Sequence, residues 1–315
     1  MATDARSAAI GASRGDGVPP PRRRSRSFKS RATPWALLSP TLFFVTVLFV
    51  IPLAYNIYIS FFNWSVIRPS SFAGLDNYVA VLGSDRLTNA LGNTFLFALI
   101  TVPIGVILAL ALAVGMSKLT VKRGSALIRA LYFAPVVASL TAVAFVWLWI
   151  FNPSFGLANS LLAGLGVPGQ SWLTSEQQVI PSLSVMHIWA RLGFNSIILL
   201  AGLNAIDSSY YEAARLDGAG PWRMFWSITV PLLNRQLILV VSVETMTALK
   251  LFELPFAATK GGPVGASTSM VMEIYEQAFR FDRWGMSAVY VLILFVSVMV
   301  ITLLIRKVFT RDISE

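Results

Sequence analysis

"EAARLDGAGPWRMFWSITVPLL", residues 212–233, is a charged stretch broken by glycines and flanked on both sides by long apolar runs. The chain has 315 residues, 56% of them hydrophobic and only 13% charged, which is too greasy for a soluble domain that must keep its surface wet. Runs of the ~20 residues needed to cross roughly 30 Å of hydrocarbon as helix fall at 35–62, 91–116, 127–150, 181–206, 229–254 and 284–305. The expected fold is an all-α polytopic membrane protein with six transmembrane helices, and the quoted stretch belongs to the loop 207–228 between the fourth and fifth.

Within that loop, Ser209 followed three residues later by Glu212 predicts a capping box, in which the hydroxyl meets an orphan amide and the carboxylate reaches back to the cap. Tyr210 to Leu216 continue the helix. Asp217-Gly218 supplies a left-handed stop, and Gly220-Pro221 starts a second helix with proline in its first turn. Ala213 and Ala214 leave the first helix narrow enough to enter a groove, while Tyr210, Tyr211 and Leu216 offer apolar contact, so the unit has the form of a helix docked on a partner. An amphipathic helix lying on the lipid surface fits the same residues.

The formal net charge of +10 invites a nucleic-acid reading, but the basic residues alternate between loops instead of lining one face. With both termini in the cytoplasm, inside segments hold 8 Lys/Arg in the N-terminal tail, 4 over 118–129, 3 over 215–235 and 3 at the C-terminus, against 5 outside. No nucleic-acid partner is expected; the bilayer accounts for the charge. Residues 1–33, rich in Arg, Ser, Gly and Pro without an apolar core, read as a disordered basic cytoplasmic tail, followed by one transmembrane domain over 34–310.

Cysteine is absent and His187 is the one histidine, which sets aside thiolate chemistry, a histidine-based metal site and a Ser-His-Asp triad. No metal site or catalytic residue is assigned. No G-x-x-x-x-G-K-[ST] run occurs, so this chain has no loop to cradle ATP phosphates.

Ionisable residues inside spans are costly and face a bundle interior or a water-filled path. Ser184, His187, Arg191 and Asn195 recur at three- or four-residue spacing and share one face of the fourth span. In the fifth, Glu244 lies mid-span, while Lys250 and Glu253 are spaced to pair near its outer end. His187, Arg191, Asn195, Glu244, Lys250 and Glu253 are therefore candidates for a polar path, against the plainer reading of structural ion pairs or snorkelling side chains. Outside, Leu157 to Leu165 form a short amphipathic stretch closed by Gly166, and 270–279 place Met272, Tyr275, Ala278 and Phe279 at helical spacing. Both loops, 151–180 and 259–283, carry apolar faces that need cover.

Glu212-Ala213-Ala214, Gly218, Ile228 and Pro231 resemble the cytoplasmic "EAA" loop of binding-protein-dependent ABC importer permeases. "YYEAARLDGAGPWRMFWSITVPLL" and "LKLFELPFAATKGGPVGASTSMVMEIYEQAF" are similar to the carbohydrate and glycerol-phosphate members, as are "FAGLDNY" and "SWL", so the resemblance covers roughly residues 35–308. The ending "RKVFTRDISE" looks like that of the maltose-type first subunit. Val230 stands where the family usually has leucine, a conservative departure.

The resemblance implies the type I importer permease fold in a bacterial or archaeal inner membrane. It implies coupling roles for Glu212, Ala213, Ala214, Asp217, Gly218 and Pro231. It also implies a second permease as heterodimer partner, two ATPase subunits that carry ATP and Mg, no cofactor on this chain, and an external solute-binding protein. The solute would be a sugar, an oligosaccharide or a glycerol-phosphate-type compound. A secondary transporter, the rival, would show inverted repeats and coupling-ion carboxylates at midplane. An intramembrane enzyme would need convergent nucleophile and base groups, with only His187 as a histidine base.

Overall fold

The computed structural model describes residues 28–117 and 134–310. The chain divides into two units, Met1–Ala54 and Tyr55–Glu315. In the first, helix α1 (Phe28–Val45) enters a single π turn, Thr46–Val50. Residues 28–33, expected in the tail, are thus already helical, and residues 1–27 lie outside the description. Continuing into α2 (Ile51–Ser60), the helix forms an apolar span over Leu37–Ser60, close to the expected 35–62.

The second unit opens with the end of α2, from Tyr55, and then forms a small hairpin. Strands β1 (Phe62–Asn63) and β2 (Ser71–Phe72) are antiparallel, with Phe62 opposite Phe72 and Asn63 opposite Ser71. Helix α3 (Asp76–Leu82) leads into the long α4 (Asp85–Ser117), which keeps its helix through Pro103. Two spans expected at 181–206 and 284–305 appear as α7 (Val179–Asn204) and as Trp284–Lys307 of α11 (Trp284–Thr310). Between them in the chain lie α5 (Leu140–Ile150) and α6 (Leu157–Gly164), the latter being the predicted amphipathic stretch.

Four described helices are long and apolar enough to cross a membrane. The third expected span, 127–150, falls partly outside the described residues; its described end is α5, whose Ser139 cap accepts from the Ala142 amide at 3.2 Å. The fifth, expected as one helix over 229–254, is corrected. The segment Pro221–Leu232 and helix α10 (Asn234–Leu249) meet at a bend of 69°, with the break at Leu233. Pro231 has no amide to give and follows a π turn at Phe225–Thr229, the two devices that bend helices most sharply. At the other end α10 stops at Lys250, and Glu253–Ala258 is a separate helix. The reason is Pro255, whose ring would collide with the Leu251 carbonyl if the helix ran on.

Packing follows side-chain size. Buried Ala98, Gly105, Ala109 and Ala113 line α4 and let it approach α7 closely, as small residues do between membrane helices. One core joins Phe97 and Ala98 to Leu183, Met186 and Ala190 of α7 and to Leu249 of α10. A second joins Ala109 and Ala113 to Leu199, Leu200 and Val240. The apolar stripe expected over 270–279 is split. Met272 and Ala278 are buried, but Tyr275, just before the π turn Glu276–Arg280, and Phe279 within it point outward into a ladder of rings with Phe256 and Trp284.

The start of the last span is locked against the hairpin at Gly285, where a Cβ would stand 1.9 Å from the Phe62 carbonyl oxygen and 2.8 Å from Asn77 Nδ2. That carbonyl already accepts from Asn77 Nδ2 at 2.9 Å, so it cannot withdraw without breaking the bond. Gly285→Ala is expected to cost about 2 kcal/mol, an overpacking penalty, and to lower the thermal midpoint of the purified protein by several degrees. Gly92→Ala, where nothing lies within 4 Å, is the control that should leave it unchanged.

Candidate functional site

Three of the polar residues of α7 converge on one carboxylate of α10. His187, Arg191 and Asn195 occupy successive turns of one face, and Glu244, 1% exposed, meets all three. Its Oε1 accepts from His187 Nε2 at 2.7 Å; its Oε2 accepts from Asn195 Nδ2 at 2.9 Å and from Arg191 Nε at 3.4 Å. A carboxylate in a low-dielectric interior needs such donors. The His187 ring is held by the edge-on ring of Phe97, with centroids 5.3 Å apart, and among the described residues neither its Nδ1 nor Asn195 Oδ1 has a hydrogen-bond partner.

Arg191 differs from its neighbours. Its side chain is 23% exposed, and the guanidinium lies 4.8 Å over the Phe194 ring, so its far edge reaches beyond the packed interior. Ser184, on the same face, is not drawn into the cluster and gives its hydroxyl to the Ile180 carbonyl at 2.8 Å.

Lys250 and Glu253 are not part of this cluster. Both are exposed, they sit on either side of the helix break before Pro255, and no ion pair joins them, which corrects the expected pairing. The union of Glu244 with the α7 stripe went unread from sequence, although a lone acid in one span and Arg and His in the preceding one was the available signal. Among the described residues no group of three or more His, Asp or Glu could hold a metal ion.

On the opposite side of α10, the loop forms a helix, a bend and a helix. Helix α8 (Ser208–Leu216) is capped by Asp207, whose Oδ1 accepts from the Ser209 amide at 2.8 Å. The expected capping box is corrected accordingly: Asp207 precedes Ser209 and takes the cap, leaving Glu212 exposed one turn on. Hydrogen bonds from the Ser209 amide and then its hydroxyl hold the Asp207 carboxyl below the usual carboxylate range.

The helix ends as predicted. Gly218 has φ +77, its amide donates to Arg215 O at 3.0 Å, and the Ala219 amide donates to Ala214 O at 2.9 Å, the paired bonds of a Schellman stop behind Asp217. Gly220 caps the next helix and Pro221 begins it. Tyr211 OH and Thr229 Oγ1, 3.0 Å apart, join the two helices. Outward face Tyr210 (56% exposed), Leu216 (90%), Trp222 (74%) and Trp226 (53%), with Ala213 exposed between them. So large an apolar patch on one short loop marks an interaction surface. Pro231 lies at the foot of this unit, just before the bend into α10.

Comparison with known proteins bears on both features. The chain is 32% identical to the sulfoquinovosyl glycerol transport system permease protein SmoG of Agrobacterium fabrum over 283 residues, 88% of this chain and 90% of that one. It is 31% identical to the trehalose/maltose transport system permease protein MalF of Thermococcus litoralis over 281 residues, 88% and 94% of the two chains. Its fold matches a chain in the crystal structure of a bacterial alginate ABC transporter in complex with alginate pentasaccharide-bound periplasmic protein, with TM-score 0.76 over 89% of this chain and 96% of that one, at 22% identity. The family described as binding-protein-dependent transport system inner membrane component matches residues 78–314. With its apolar spans and the helix-bend-helix loop, the chain belongs to that family and is a multi-pass inner-membrane permease component.

Proposed function

We propose that this chain is one of two permease subunits of an ATP-driven importer, takes a polyhydroxylated solute from an external binding protein, and itself hydrolyses nothing. The observation that carries the reading is the 207–229 unit, a rigid capped helix with four exposed large apolar side chains, tied by Tyr211 and Thr229 to the segment that bends into α10. A groove in each ATPase subunit, which would carry ATP and Mg, is the fitting occupant for that surface. Glu212, Ala213, Ala214, Asp217 and Gly218 shape the docked helix, and Pro231 sets the bend through which its displacement reaches α10. Because Glu244 grips α7, the displacement of α10 is carried to His187, Arg191 and Asn195.

Both termini would then be cytoplasmic, as the distribution of Lys and Arg favours. The second permease would complete the path, and the binding protein would dock on the outer segments 151–180 and 259–283. A sugar, an oligosaccharide or a glycerol-phosphate-type solute is supported by relatives named for a sulfoquinovosyl glycerol and for trehalose and maltose. The partly exposed guanidinium of Arg191 offers donors to hydroxyl or anionic oxygens of such a solute. Lys250 and Glu253, exposed at the outer end of α10, are candidates for its entry.

Two variants test the reading. Ala213→Arg places a long cation on the exposed face of α8 and is expected to leave insertion intact while the ATPase subunit no longer co-purifies or hydrolyses without uptake. Retention of the ATPase with normal coupled uptake would return the loop to a lipid-surface role. Arg191→Ala should preserve the assembled complex and reduce solute uptake at least about tenfold, the scale of one lost charge-assisted hydrogen bond. Wild-type uptake would remove Arg191 from the path.

A further inference from the structure

The connection 61–84 and the residues around the start of α11 line an open cleft of about 280 Å³ that has no part in the solute path described above. Asn63, Trp64, Arg68, Asp282 and Arg283 line it. Its two guanidiniums are uncompensated. Neither Arg68 nor Arg283 forms an ion pair among the described residues, and Arg283 rests 5.8 Å over the Phe281 ring. The one carboxylate present is already committed: Asp282 Oδ2 accepts from the Ser65 hydroxyl, and Oδ1 accepts from the Val66 amide at 3.0 Å and Trp284 Nε1 at 3.1 Å. These donors, the Ser65 hydroxyl first, keep Asp282 below the usual carboxylate range, so it stays ionised. Two exposed cations against one saturated anion leave the cleft with one surplus positive charge.

The surroundings say where that charge sits. The rings of Tyr55, Tyr58, Phe62 and Trp64 interlock at 4.7 to 6.5 Å, an aromatic girdle of the kind found at membrane–water interfaces. Beside the cleft, Val66 (72%), Ile67 (84%) and Phe72 (72%) project from the hairpin, and Leu75, Val79 and Leu82 project from α3 one helical turn apart. This connection is joined to a membrane span at each end, through Ser60 and Asp85, which keeps its apolar tip within reach of the bilayer surface. Cations beside an apolar tip at headgroup depth match an amphiphile with one negative charge at the junction of its head and tails.

We propose that Arg68 and Arg283, beside Trp64, hold the phosphodiester of a membrane phospholipid in the leaflet opposite the 207–229 loop, its acyl chains lying along Ile67, Phe72 and the outer row of α3. The site does not depend on the solute; Arg283, the last residue of the outer segment 259–283, is assigned here to lipid and not to the binding protein.

The test is a native mass spectrometric titration of the full-length chain in detergent with dihexanoyl-phosphatidylglycerol, dihexanoylglycerol and inorganic phosphate. The phospholipid should bind, and Arg68→Ala/Arg283→Ala should weaken it about tenfold or more, since each interfacial cation contributes on the order of 1 kcal/mol. Arg68→Glu, at an exposed position, should do the same without disturbing the fold, whereas Arg280→Ala, whose partner is Glu276, should not. Unchanged affinity in both Arg68 variants, or equal binding of dihexanoylglycerol, would overturn the proposal. Competition by inorganic phosphate at concentrations equal to the lipid's would make it a free-anion site. Because the chain has no cysteine, Arg68→Cys also gives a single crosslinking point in membranes; capture of phospholipid supports the assignment, and capture of a second permease or of a binding protein defeats it.

Discussion

Within the second unit, the packing of α7 on α10 is arranged around the Glu244 carboxylate. An ionised acid at bilayer depth is tolerable only if donors surround it, and here all of them come from one face of α7. Three bonds spread over three helical turns fix both the register and the rotation of α7 against α10, more tightly than interchangeable apolar contacts do. The same bonds orient Arg191 so that only its outer edge is left free. Small residues along α4 then close the bundle from the other side without contributing a polar group of their own.

Around that fixed pair, the chain changes direction where proline and glycine require it. Pro231 and its π turn bend the entry to α10, Pro255 ends its exit, and Gly218 turns the loop between α8 and the next helix. Each is a place where an intrahelical hydrogen bond is lost or a left-handed residue is needed, so the corners are set locally and the straight runs by packing. The result is a loop that is stiff by itself and joined to the intramembrane cluster through one bent but continuous path.

Much of this was legible in the sequence, for reasons that differ by element. The spans near 91–116, 181–206 and 284–305 were readable because uniform apolarity over 20 or more residues is sufficient to define them, and the stop at Gly218 because only glycine is at ease there. The fifth span reads as one helix through Pro231 because hydropathy does not register a missing amide. The cap was placed on Ser209 because its spacing to Glu212 fitted a motif, while Asp207 two residues earlier offered the better acceptor. For the pairing of Glu244 with the α7 stripe the sequence carries only the coincidence of a lone acid in one span with Arg and His in the one before: the residues lie about fifty positions apart, and which faces of two helices meet is decided in three dimensions. Lys250 and Glu253 show the reverse error, a spacing that promised a pair across a helix that does not exist.

The Glu244 cluster also constrains how the protein is made. As α7 emerges during synthesis it carries Arg191 and His187 without their acid, and the acid arrives only after the whole 205–233 segment has been translated. A charged side chain at the centre of an isolated helix opposes partition into lipid by roughly 2.5–3.5 kcal/mol. The two helices therefore enter the bilayer most favourably as a hairpin, with their charges already matched, and the loop between them is the turn of that hairpin. A substitution that neutralises Glu244 would thus be felt first at the translocon, as α7 losing its counter-ion before the protein has ever moved a solute.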